Sequence, residues 1–89
     1  MHHVLRLRDS RLEWREVEGQ VLALDLSDSR YLLVNRTGAV LWEGLRQGAT
    51  PDALIEQLVG EFGIERERAA ADVSAFLDEL EERDLLVHE

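Results

Sequence analysis

The hydrophobic period of this sequence changes once, near residue 35. Before it, apolar residues alternate over short segments divided by turn signals, the pattern of half-buried strands. After it they recur at helical spacing. A chain of 89 residues built this way has room for one sheet and one set of helices around a single core. Residues 1–89 are therefore read as one domain.

Residues 11–17 place Leu12 and Trp14 on one face, with Glu16 less cleanly in line, and charges on the other. Glu18-Gly19 is a turn signal. Residues 20–26 place Leu22, Leu24 and Leu26 together on one face of a second strand. Ser27-Asp28-Ser29 follows, short polar side chains that bond their own backbone. Residues 30–34, Arg-Tyr-Leu-Leu-Val, form a third strand. Links this short predict an antiparallel meander. Residues 4–8 read as a further short strand or an arm.

Asn35 has the chemistry of a helix N-cap, and a helix is expected to about Gln47, ending at Gly48. Its buried stripe is expected at Ala39, Trp42 and Leu45, flanked by Val40 and Leu41. Thr50-Pro51-Asp52 is the clearest start signal: a cap, a proline where its missing N–H costs nothing, then an acid at the positive end of the helix dipole. Leu54, Ile55, Leu58, Val59 and Phe62 give that helix an apolar face, and Gly63 ends it. A third helix is expected over about residues 65–83, with Ala69, Val73, Phe76, Leu77 and Leu80 inward. Leu85, Leu86 and Val87 close the chain as a short extended segment. The fold class is therefore α+β: a three-stranded antiparallel sheet followed by three helices, a winged helix-turn-helix arrangement. The third strand is expected near a sheet edge.

Charge is unevenly distributed. The net charge is −9, and residues 1–42 carry none of it, with six acids balanced by six arginines. The third helix holds seven acids against three arginines across residues 65–83. In a helix-turn-helix this is the element that enters the major groove, and such a helix repels phosphates. No nucleic-acid partner is expected. No apolar run is long enough to span a bilayer, and residues 1–6 lack the pattern of a signal peptide. A cytoplasmic location is expected.

Enzymatic patterns are scarce. There are no cysteines, and no glycine-rich phosphate loop. Acid pairs such as Asp78/Glu82 read as the solvated face of a helix. A catalytic carboxylate pair needs a pocket that shifts one pKa, and nothing in the pattern builds one. No enzyme activity, metal or cofactor is expected. His2 and His3 are given no role. Trp14 and Trp42 read as core, because a small core needs large aromatics.

What remains is a strand edge beside a helix. Such an edge offers unpaired N–H and C=O groups to which an extended peptide can add. A short strand paired on one side only reads equally well.

The stretch Tyr31-Leu32-Leu33-Val34-Asn35-Arg36-Thr37-Gly38-Ala39-Val40-Leu41-Trp42 resembles the hallmark of the PqqD-like family. There an apolar strand ends in Leu-Asn or Val-Asn, and the following helix carries a small residue and Ile/Leu-Trp. Gly48-Ala49-Thr50-Pro51, Leu54-Ile55, Phe62-Gly63, Ala71-Asp72-Val73, Phe76-Leu77, Leu80 and Leu85-Leu86-Val87 continue the likeness in order. It covers about residues 15–87.

The resemblance implies a recognition element for ribosomally made, modified peptides. Such a domain binds the leader segment of a precursor and presents it to separate maturation enzymes. It implies strand addition on the third strand, Arg30, Tyr31, Leu32, Leu33 and Val34, with packing against the third helix. On that helix the candidates are Asp72, Val73, Phe76 and Glu79. Val73 and Phe76 are either a pocket for a leader Tyr or Leu, or plain core. Asp72 and Glu79 either bond a Tyr hydroxyl or a leader Arg/Lys, or are solvated surface. Residues 12–17 and 21–25 look like the leader-binding protein of split lasso-peptide systems. The Pro-rich opening of the pyrroloquinoline-quinone peptide chaperone is missing; that chaperone and a winged-helix DNA-binding regulator are the alternatives. The partners implied are the precursor leader and a separate leader peptidase, a transglutaminase-like cysteine protease. The cyclase is a further candidate partner.

Overall fold

The computed structural model describes residues 3–89, so His2 lies outside the described residues. The chain runs β1 (Leu5–Leu7), a single 3-10 turn (Asp9–Arg11), β2 (Leu12–Val17), β3 (Gln20–Asp25) and β4 (Arg30–Val34). Helices α1 (Arg36–Gln47), α2 (Pro51–Phe62) and α3 (Arg66–Glu82) follow, and β5 (Leu86–His88) closes the chain. This is the expected α+β plan of three antiparallel strands followed by three helices, consistent with a winged helix-turn-helix.

The sheet order is β2-β3-β4, with β3 central and β4 at an edge. Glu18 and Gly19 both have positive φ, 53° and 82°, which the tight β2–β3 turn requires to match the strand twist. Val21 lies opposite Val34, Leu22 opposite Leu33, and Leu24 opposite Tyr31. The register fixes which face is inward. Leu12, Val21, Ala23, Leu32 and Val34 are buried against the helices. The leucine face of β3 is the outward one: Leu22 and Leu24 are half-buried, and Leu26 lies exposed beyond the strand. Leucine count misleads here, because Val21 and Ala23 share the pleat face with Trp14 and Leu32.

The helix ends form as their residues dictate. The Asn35 carboxamide oxygen accepts the Gly38 N–H at 2.9 Å, and the Thr50 hydroxyl accepts the Ala53 N–H at 3.1 Å. Gly63 ends α2 in the left-handed conformation, φ 64°. In α1 the buried residues are Gly38, Leu41, Trp42, Gly44 and Leu45, while Ala39 and Val40 are half-buried. The stripe is thus rotated from the expected one toward small residues, where α1 meets Val34 and Leu54 closely. Trp14 meets Trp42 edge-on at 5.8 Å, as core.

Residues 4–8 resolve into a strand. β1 pairs antiparallel with β5, with Leu5 opposite His88 and Leu7 opposite Leu86. His3 stacks on His88, with ring centroids 5.4 Å apart. This second small sheet gathers Leu5, Leu7, Leu85 and Leu86 into the core and ties the described ends of the chain together. Among the described residues, no helix is long and apolar enough to cross a membrane.

Candidate functional site

β4 is hydrogen-bonded on one side only. It pairs with β3, and no other backbone segment among the described residues pairs with its outer side. Its alternate outward N–H and C=O groups therefore face an open margin. The side chains divide by pleat: Leu32 and Val34 are buried, while Tyr31 and Leu33 are each 67% exposed on the outer face. Arg30 sits at the hairpin end beside Asp28, 3.9 Å away, outside the clefts described next.

Helix α3 lies along this margin. A small hollow of about 100 Å³ is lined by Leu32, Leu33, Val34 and Asn35 on one side and by Phe76 and Glu79 on the other. A larger cleft of about 350 Å³ continues from it. Asn35, Thr37, Gly38 and Leu41 form one wall of this cleft, and Arg68, Asp72, Ala75, Phe76 and Glu79 form the other. Asn35, Phe76 and Glu79 line both, so the two hollows join into one trough between the sheet edge and α3.

Of the residues expected from the sequence, the trough joins Leu32, Leu33, Val34, Asp72, Phe76 and Glu79. Val73 is 2% exposed and lies in the core, away from the trough lining. Tyr31 borders a shallow depression on the outer sheet face with Leu22 and Leu24. Asn35, Thr37, Gly38, Leu41, Arg68 and Ala75 are lining residues that the sequence reading does not include as site candidates. Arg68 and Ala75 carry a readable signal, since they stand four before and three after Asp72 on the same helical stripe. Asp72 is half-buried, and Glu79 is exposed and pairs with Arg83 at 3.5 Å.

The hairpin that presents β4 is anchored by one buried carboxylate. Asp25 accepts the Ser27 N–H at 3.0 Å and the Ser27 hydroxyl at 2.8 Å. The Arg11 guanidinium donates to it at 3.4 Å. The Ser27 backbone N–H, then its hydroxyl and Arg11, hold the Asp25 carboxyl below its usual range against the opposing effect of burial.

A roomier hollow of about 480 Å³ lies on the β2/β3 side of α1, between Trp14, Val21, Val40, Trp42 and Phe62. Size alone does not favour it. Its strand residues, Trp14, Glu16 and Val21, belong to β2 and β3, and neither β4 nor α3 borders it.

Residues 20–86 match the family model described as coenzyme PQQ synthesis protein D (PqqD). The chain belongs to the PqqD family. Two solved structures are similar to this PqqD-family chain. One is "TbiB1 in Complex with the TbiA(beta) Leader Peptide", 22% identical, with a TM-score of 0.81 over 91% of this chain and 93% of that one. The other is "Lasso peptide synthetase B1 complexed with the leader peptide", 25% identical, with a TM-score of 0.79 over 93% and 96%. No curated protein matches the chain.

Proposed function

We propose that this PqqD-family domain binds the leader segment of a ribosomally synthesised precursor peptide, of the lasso type, and presents it to separate maturation enzymes. The leader adds as a fourth strand to the outer side of β4 and packs its inward side chains against α3. Backbone hydrogen bonds supply affinity, and the trough supplies selectivity. The observation that carries this reading is the open β4 margin running beside a trough floored by Phe76. Both similar structures are leader-peptide complexes, which supports it.

On this reading the domain performs no chemistry and works in the cytoplasm, where precursors are made. The peptide-cutting step falls to a transglutaminase-like cysteine protease on another chain, and ring closure to a cyclase. The family description names coenzyme PQQ synthesis, which leaves room for a second reading, a peptide chaperone of the pyrroloquinoline-quinone type. Both use the same trough; they differ in the precursor encoded nearby. DNA binding is disfavoured by the acidic α3.

The test is fluorescence polarisation with the labelled leader of a short precursor encoded beside this chain. Saturable binding, abolished by competition with unlabelled leader and insensitive to added duplex DNA, is expected. No binding to the neighbouring precursor, or a salt-dependent DNA shift instead, overturns the reading.

A further inference from the structure

The trough is electrically polar along its length. Arg68, Asp72, Phe76 and Glu79 follow one another down the stripe of α3 that lines it. Arg68 is exposed, and neither it nor Asp72 forms an ion pair among the described residues. Glu79 is tied to Arg83 at the other end. One end of the trough thus offers a free cation, and the remainder offers carboxylates around an aromatic floor.

The chain's own path orients this gradient. Beside residues 32–35 the hollow reaches only Phe76 and Glu79, whereas beside residues 35–41 it extends to Asp72 and Arg68. β4 therefore points toward the Arg68 end. Every strand pair in the sheet is antiparallel. A segment that extends the same pattern runs opposite to β4, and so begins at Arg68 and finishes near Glu79 and Arg30.

We propose that the trough reads the direction and charge order of the bound segment, with Arg68 as a specificity-determining residue. The inference rests on the leader-binding reading above. The segment carries a carboxylate side chain first, facing Arg68. An apolar or aromatic residue for Phe76 follows, with a basic or hydroxyl side chain facing Asp72 or Glu79. Arg68 and Glu79 are eleven residues apart on α3, about 16 Å at ~1.5 Å per residue. Extended chain covers that distance in about five residues at ~3.3 Å each. The acidic and basic positions are therefore separated by five residues or fewer, acid first. A reversed order places like charges together at both ends.

The experiment is selection of a random 16-residue peptide display library against the wild-type domain and against Arg68→Glu, with Arg68→Gln as a second variant. Arg68 is exposed, so the fold is not at stake. Selected peptides that shift the amide signals of β4 are expected to carry acid before base for the wild type, and a base in place of the acid for Arg68→Glu. A single wild-type peptide should lose about 3- to 5-fold in affinity to Arg68→Glu, the scale of an exposed ion pair. A nitroxide at its amino terminus should broaden signals near Arg68 and not those near Arg30. Peptides that shift β4 but show no charge order, or an unchanged preference in Arg68→Glu, overturn this inference and leave leader binding standing. A library yielding no peptide that shifts β4 overturns both.

Discussion

Gly38 lies so close to Val34 that a Cβ on Gly38 would stand 2.6 Å from Val34 Cγ1, and 3.1 Å from Phe76 Cε1. The absent side chain lets α1, β4 and α3 meet at one point and leaves the trough open between them. Gly38→Ala gains up to about 1 kcal/mol of helix propensity but incurs overpacking of about 1–3 kcal/mol. A net loss of stability is expected by thermal melting, with weaker leader binding because Val34 and Phe76 are forced apart. A more stable variant with unchanged affinity contradicts this packing.

Phe76 is half-buried and floors both hollows. Phe76→Ala should lower leader affinity about tenfold or more, as loss of an aromatic anchor does. Its effect on stability should stay below the ~3–5 kcal/mol typical of a fully buried Phe. Asp72→Arg should weaken binding of a leader with a basic or hydroxyl residue at that point, without unfolding the domain. Polarisation titrations with parallel melts separate the two effects; unchanged affinity in both variants moves the site elsewhere.

A proline scan of the leader reads the proposed strand pairing. Proline lacks the N–H that a ladder needs, so substitutions should alternate along the paired stretch. Positions whose N–H points to β4 should lose binding, and their neighbours should tolerate the change. Uniform tolerance contradicts strand addition.

Asp25 makes a pH prediction. Its carboxyl is held below its usual value in the folded state, chiefly by the Ser27 N–H. Its contribution to stability is therefore fully present above the unfolded-state pKa of about 4, and is lost as pH falls through the lower folded-state value. Urea melts should show a stability loss below about pH 4 that is smaller in Asp25→Asn. That variant should be less stable at pH 7, because it loses the charge facing Arg11. Identical pH profiles for the two proteins contradict the assignment.

Much of this fold can be read from local chemistry. Asn35, Thr50-Pro51 and Gly63 act over a few residues, so their caps follow directly from residue type. The edge position of β4 follows from the short links on either side of it. What could not be read are the contacts that depend on distant partners. β1 has three residues and finds its partner in β5, at the far end of the chain. The inward face of β3 is obscured because its larger side chains, Leu22 and Leu24, face outward, while small Ala23 lies buried opposite Trp14. Of the α3 residues that line the trough, Asp72, Phe76 and Glu79 follow from helical spacing and family likeness. Val73 shares their helix but lies in the core, which only the rotation of α3 about its axis decides. Arg68 stands on the same stripe, but an exposed arginine on an acidic helix reads first as solvated surface.

The most direct measurement is backbone amide hydrogen exchange across Arg30–Val34, residue by residue, with and without saturating leader peptide. The amides of this strand that point away from β3 should exchange freely in the unbound domain and become strongly protected in the complex. Leader binding at full occupancy with those amides still unprotected contradicts strand addition at this margin.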